Sequence, residues 1–325
     1  YLVLDALDST RPLDAPQARA AVRAILDRKY ADVCGPEYVQ QVSESFRVSP
    51  VPVRAPRYVR RPRASRPRDD LERVIWLTVN DRHEIHHMRD RGYVESPVRV
   101  RSILKGLEPT GLFRPLKTHR FGEQHVLAVH DRDFVEFLKK VCTNVQAGDS
   151  VYPYVFPIRN QARPPRELPV RAGYYCIDTF TPLNENAYRA ARRAADCGLT
   201  AARTLLEGGS LAYALVRPPG HHAEHRAFGG FCYFNNAAIS AHFLSEHGRV
   251  AVLDVDYHHG NGTQDIFWRR DDVLTLSIHG HPRFAYPYFS GYADETGEGD
   301  GKGFNHNYPL PEHVDGTTYR VTLER

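Results

Sequence analysis

Three short apolar runs, at residues 212–216, 249–253 and 273–278, each break off into a cluster of ionisable side chains. The first leads into Arg217-Pro218-Pro219-Gly220-His221-His222, and the second into Asp254-Val255-Asp256-Tyr257-His258-His259-Gly260-Asn261. The third ends in His279-Gly280-His281. A continuous apolar run of about 4–8 residues fits a strand covered on both faces, as in parallel sheets flanked by helices. In open sheets of that kind, ligands gather outside the carboxyl ends of the strands. The pattern therefore predicts an α/β domain with a mainly parallel sheet and an active site along one rim.

The segments around these runs supply the helices. An alanine-rich stretch at 186–207 stops at Gly208-Gly209, and 235–246 lies between the first two runs. Strand, loop, helix and strand over 212–253 read as one βαβ unit. Upstream, 74–79 reads as a strand. Ser96-Pro97 opens a helix carrying Val100, Ile103, Leu104 and Leu107 at helical spacing, with Ser96 as its cap. A further helix is expected at 133–141, and the proline-rich stretch 143–171 as irregular chain. Residues 16–30 carry a helical apolar stripe. The chain thus reads as an N-terminal segment of unknown role (1–53), an Arg/Pro-rich linker (54–73) and a main domain (74–325) without internal repeats.

Bulk properties exclude several classes. No apolar stretch approaches the roughly 20 residues of a membrane span. No charged leader opens the chain, and its one methionine is Met88, so a fragment or processed chain with a cytoplasmic location is expected. Five cysteines (Cys34, Cys142, Cys176, Cys197, Cys232) without a Cys-x-x-Cys pair fit reduced thiols. Much of the net charge of +4 comes from Arg54, Arg57, Arg60, Arg61, Arg63, Arg66 and Arg68 interleaved with prolines. A solvated linker is the simplest reading of that run, ahead of a nucleic-acid contact.

The chemistry rests on the two longer clusters. In extended chain, residues two apart point the same way, so Asp256 and His258 can grip one ion. A hydrolytic zinc takes three such ligands and keeps a position for water. The competing reading is a solvated loop. His221-His222 offers imidazoles that take and return protons near neutral pH, against the alternative of a polar turn after Pro218-Pro219-Gly220. Asp254 and Asn261 can each orient one imidazole, although Asn261-Gly262 is also an ordinary turn sequence. Gly229-Gly230-Phe231 brings backbone and an aromatic ring to the same place.

Taken together, Arg-Pro-Pro-Gly-His-His, Gly-Gly-Phe-Cys-Tyr-Phe-Asn-Asn (229–236) and the stretch 254–267 resemble the histone deacetylase and acetylpolyamine amidohydrolase superfamily. Asn261, Thr263-Gln264-Asp265 and Gly173-Tyr174-Tyr175-Cys176 lean towards the acetylpolyamine branch. The resemblance implies a three-layer arginase/deacetylase-like fold and a metal-dependent hydrolase that removes acetyl groups from acetylated amines, polyamine or acyl-lysine. It implies Zn²⁺ on Asp256 and His258, with Fe²⁺ or Co²⁺ as alternatives, and a structural K⁺ on Asp254, Asp256, His258, Ser277 and the Ile278 carbonyl. His222 is implied as general base and later acid, with His221 as electrostatic support. Asp254 is implied to hold His221, and Asn261 to hold His222. The Gly230 carbonyl would accept the substrate amide, and Phe231 and Tyr286 would line the acyl tunnel. Enzymes of the branch are often homodimers, and the 143–172 stretch is a candidate contact.

The family's third zinc ligand, an Asp, and its oxyanion-stabilising Tyr have no match before Arg325. Asp8 is a poor substitute. A C-terminally truncated chain, inactive alone, is the expectation. Two rivals are a non-catalytic acyl-amine binder or scaffold and a binuclear manganese ureohydrolase. The latter needs Asp-x-His-x-Asp, where this chain has His259 and Asn261. Asp294, Glu295, Glu298 and Asp300 are candidates for polyamine cations, or simply a solvated loop.

Overall fold

The computed structural model describes residues 20, 23–24, 26–28, 35–48, 74–88, 95–158 and 163–325. The chain divides into two compact units, 1–70 and 71–325. In the first unit, residues 20, 23–24 and 26–28 are helical, and Arg23 pairs with Asp27 one turn on, at 3.0 Å. Helix α1 spans Pro36–Val48. The linker at 54–73, Cys34 and Asp8 lie outside the described residues.

The second unit contains two three-stranded parallel sheets. In one, β1 (Ile75–Val79) lies between β2 (Phe113–Pro115) and β3 (Leu211–Leu215). In the other, β5 (Val273–Gly280) lies between β4 (Val250–Asp254) and β6 (Asn305–Leu310). The expected parallel α/β architecture is present. The βαβ unit across 212–253 is not: β3 pairs with β1 and β4 with β5, so the two strands belong to different sheets. An apolar run marks a strand but not which neighbour that strand takes, and consecutive strands pair only as a tendency. The edges of β3 and β4 instead line a groove of about 730 Å³, in which Leu253, Val255 and Tyr213 are exposed.

Helix α2 (Val98–Leu107) starts one residue later than its sequence suggests, with Pro97 at the cap position and no side-chain cap from Ser96. Proline has no N–H to lose there, so the first turn tolerates it. Its face, through Val100, packs with Leu77 and Leu215 under the first sheet. Helix α3 (Gln124–Leu127) is a single turn before α4 (Arg132–Asn144). The irregular stretch contains a further helix, α5 (Leu168–Tyr174), entered through Pro169. Helix α6 (Ala187–Leu206) buries an alanine stripe against α4, and Phe134, Leu138, Ala191, Ala195, Leu199 and Phe234 share the main core. Helix α7 (Asn236–Ser245) starts on a true cap: Asn235 accepts from the Ala238 N–H at 3.0 Å. Helix α8 (Asn261–Phe267) links β4 to β5, and α9 (Gly316–Leu323) follows β6. Cys142, Cys176, Cys197 and Cys232 are buried free thiols.

Candidate active site

Three elements converge on the loop after β3. Asn235, at the head of α7, donates through Nδ2 to the Ala223 carbonyl at 3.2 Å and to Thr263 Oγ1 of α8 at 3.1 Å. The N–H groups of Gly262 and Thr263, otherwise unpaired at the start of α8, donate to the His221 carbonyl at 2.9 and 3.2 Å. A Cβ on Gly262 would stand 2.1 Å from the Ala223 carbonyl oxygen, so only glycine lets the helix end come this near. The residues 261–262, which read alone as a turn, are a helix start clamped to the histidine loop.

This clamp pairs the side chains. His221 Nδ1 donates to Asp254 Oδ2 at 2.8 Å, and His222 Nδ1 to Asn261 Oδ1 at 2.7 Å. The two rings lie 4.0 Å apart between centroids. Their charge states diverge for physical reasons. Burial works against protonation of His221, but the Asp254 carboxylate overrides it and holds the imidazole above its ordinary value. His222 is buried with only a neutral amide as partner. Burial and the adjacent His221 push it down to about 3. An imidazole biased toward protonation thus sits beside a neutral one whose Nε2 lone pair is unprotonated, the state a proton acceptor needs.

Asp256 and His258 follow β4, with His258 Nδ1 3.2 Å from Asp256 Oδ1. Both side chains are nearly half exposed. Burial alone would raise the Asp256 carboxyl, but the His258 contact and His221 hold it well below the carboxylate range. The donor types and separation suit a shared divalent ion. The number falls short: among the described residues, no group of three His, Cys, Asp or Glu side chains gathers to hold a metal. The β4–β5 register sets Asp254 opposite Ser277. The Ser277 hydroxyl is 2.7 Å from His279 Nδ1. Buried Ile278 is next on β5.

Aromatic rings close the other side. Tyr286 meets His222 edge to face at 4.8 Å and lies 6.1 Å from His258, while Phe180 contacts both Phe231 and Tyr286 at 5.6 Å. Gly230 and Phe231 both take positive φ, +54° and +66°. A Cβ on Gly230 would stand 2.1 Å from His222 Cδ2, so this backbone passes directly under the imidazole. The Gly230 carbonyl accepts a weak S–H bond from Cys232 at 3.3 Å.

The histone deacetylase domain family matches residues 93–325. The chain belongs to the histone deacetylase family. Among relatives, acetylpolyamine amidohydrolase 2 of Pseudomonas aeruginosa is 40% identical over 262 residues, 76% of each chain. Acetylpolyamine amidohydrolase 1 of the same organism is 46% identical over 225 residues, covering 66% of this chain and 65% of its own. The crystal structure of the acetylpolyamine aminohydrolase from Burkholderia pseudomallei superposes with a TM-score of 0.71 at 37% identity, over 77% of this chain and 76% of that one.

Within this deacetylase-family site, two carboxylates carry contacts that sequence reasoning passed over. Asp178 Oδ2 accepts from the Gly230 N–H (2.6 Å), Tyr286 OH (2.9 Å) and Thr181 Oγ1 (3.0 Å). Glu224 accepts from Asn261 Nδ2 at 2.8 Å. Neither lies in a periodic pattern, so only the folded chain reveals them. Of the acidic residues considered for cations, Glu295 is consumed internally: it accepts from Gln264 (2.6 Å), Ser290 (3.2 Å) and the Gly291 N–H (2.9 Å). Glu298 pairs with Arg269 at 3.0 Å. These two staple their loop. His259 is likewise structural, buried against His279 at 4.5 Å and bonded to Asn307.

Proposed function

We propose that this chain carries the catalytic centre of a metal-dependent amide hydrolase that removes acetyl groups from acetylated polyamines. The observation that supports this best is the pairing of His221 with Asp254 at 2.8 Å and of His222 with Asn261 at 2.7 Å, the His222 ring lying 5.9 Å from that of His258. The acetylpolyamine amidohydrolase names of the relatives supply the substrate class.

In this reading Asp256 and His258 hold two positions of a Zn²⁺ site. The ion, when bound, polarises the acetyl carbonyl and acidifies a water. Through Nε2, His222 takes the proton of the attacking water and later delivers it to the departing amine. Its Nδ1–H stays on Asn261, which orients the ring without adding charge. His221, whose protonated form Asp254 favours, would place positive potential beside the developing oxyanion. The Gly230 carbonyl accepts the scissile amide N–H, and Phe231, Tyr286 and Phe180 exclude water from the acyl chain. The implied K⁺ would be held by Asp254, Asp256 and His258 with Ser277 and the Ile278 carbonyl. The proposed catalytic domain, 74–325, lies within the compact unit 71–325.

The test is acetate release from N-acetylputrescine and from an acetyl-lysine peptide by the protein with Zn²⁺ added. H222A is expected to abolish turnover while Zn²⁺ binding, followed by calorimetry, persists. H258A is expected to lose the Zn²⁺ binding as well. Turnover retained in H222A refutes the assigned base. The rival reading is a non-catalytic acyl-amine binder. Saturable binding of N-acetylputrescine with no acetate released under any metal would select it.

A further inference from the structure

Glu224 stands two residues past His222, behind the imidazole. Its Oε1 accepts from Asn261 Nδ2 at 2.8 Å, and Asn261 Oδ1 lies 2.7 Å from His222 Nδ1. The three side chains form one line from carboxylate through amide to ring. An amide has a donor end and an acceptor end, and turning it by half a rotation exchanges them. A carboxylate can only accept, so an ionised Glu224 admits one orientation, with Nδ2 toward itself. The remaining Nδ2 hydrogen points to the His222 carbonyl at 3.4 Å. Oδ1 is then left for His222, which has to donate from Nδ1. In a neutral imidazole that puts the lone pair on Nε2.

The position of Glu224 is itself fixed. Its N–H donates to the Ala227 carbonyl at 2.8 Å, and its own carbonyl accepts from His130 Nδ1 at 2.9 Å. The Asn235 N–H donates to His130 Nε2 at 2.9 Å, so His130 carries its proton on Nδ1. Burial pushes His130 down to about 4, which keeps it in that neutral form.

We infer that Glu224 is a positioning residue for His222: it locks the Asn261 amide, thereby fixes the Nδ1–H tautomer, and supplies from one residue further back the negative charge that Asn261 lacks. Hydrogen bonds in series polarise one another, so the carboxylate makes Asn261 Oδ1 a stronger acceptor. The inference rests on His222 being the proton acceptor of the proposed reaction.

The test reads the His222 ring directly, by long-range ¹H–¹⁵N NMR of the metal-free 325-residue protein, with H222A identifying its signals. At pH 8.5 Glu224 is ionised, because that is above the value of about 7 to which burial and the neighbouring Asp265 push it. The native protein is expected to show a protonated Nδ1 and a bare Nε2. E224V removes the acceptor and is expected to populate the Nε2–H tautomer. E224Q keeps an acceptor oxygen and is expected to retain the native tautomer, with the Nδ1–H resonance moved upfield as the charge is lost. An unchanged tautomer in folded E224V overturns the inference. Should E224V not fold, an unmoved Nδ1–H resonance in E224Q overturns it instead. No substrate or metal enters this measurement, so a protein inactive on acetylated amines would defeat the hydrolase reading and leave this result standing. In an active protein, E224V should lower kcat by about tenfold or more with KM little changed, the mark of a base in the wrong tautomer.

Discussion

The Tyr286 hydroxyl donates to Asp178 Oδ2 at 2.9 Å, and the same oxygen accepts the Gly230 N–H at 2.6 Å. One carboxylate oxygen therefore ties the aromatic wall, 108 residues further along the chain, to the backbone beneath His222. D178N would turn an N–H₂ toward donors that need an acceptor. The expected cost is about 2–4 kcal/mol, since buried donors lose their partner. Urea denaturation should show a lower midpoint with an unchanged slope, and turnover should fall through misplaced Gly230.

G230A tests how near that backbone runs to the imidazole. The added methyl meets His222 at 2.1 Å in a residue already at φ +54°. Either the ring or the loop has to move, and a left-handed alanine costs roughly 1–2 kcal/mol by itself. Loss of acetate release, together with a shifted His222 ring signal, is the expected result. A variant with native activity would show that the passage is wider.

Arg217 and Glu95 form a pair at 2.7 Å with both side chains almost wholly buried. Arg217 also donates to the His83 and His86 carbonyls, anchoring the start of the histidine loop. E95A leaves the guanidinium charge uncompensated and should destabilise by about 3–5 kcal/mol, whereas E95L/R217M should be distinctly less damaging. Chemical denaturation of both variants decides it. Equal losses would mean that the carbonyl contacts, rather than the charge, dominate.

Glu224 gives stability a pH dependence of known sign. Burial, with Asp265 adding to it, raises its carboxyl from 4.5 to about 7. A raised carboxyl means that the folded state binds the proton more tightly than the unfolded chain. Stability from this group is therefore full below about pH 4.5 and declines as pH rises through 7. E224Q should melt higher than the native protein at pH 8.5, by up to about 3 kcal/mol in stability, and no higher at pH 4. A uniform difference across pH would place the cause elsewhere. Ionised Glu224 is then a group kept for the site at the expense of the fold.

The strand ends were readable because three short, largely apolar runs each stop abruptly at titratable residues; the burial of those strands was not, since Tyr213 and Leu253 lie exposed in the groove. Motif residues after β3 and β4, from His221 to Asn261, do come together in space. Helix α6 was readable too, since its alanine stripe has the helical period. The stretch 143–171 was less so: α5 hides behind Pro169, which in a helix's first turn costs nothing but reads as a breaker. Asp178 and Glu224 could not be picked out, because a carboxylate in a loop looks the same whether it staples a tunnel or faces water. Pairing of β3 with β4 was the natural expectation and did not occur.

The sequence by itself determined the class of elements, the residues that sit at the strand ends and the family, because these depend on local pattern and motif. Tertiary structure alone decided which strands are neighbours, that Asp254 favours protonation of His221 while burial keeps His222 neutral, and that Glu224 stands behind Asn261. Those outcomes depend on burial and on contacts between residues dozens of positions apart, and solvent exposure and charge proximity exist only once the chain is folded.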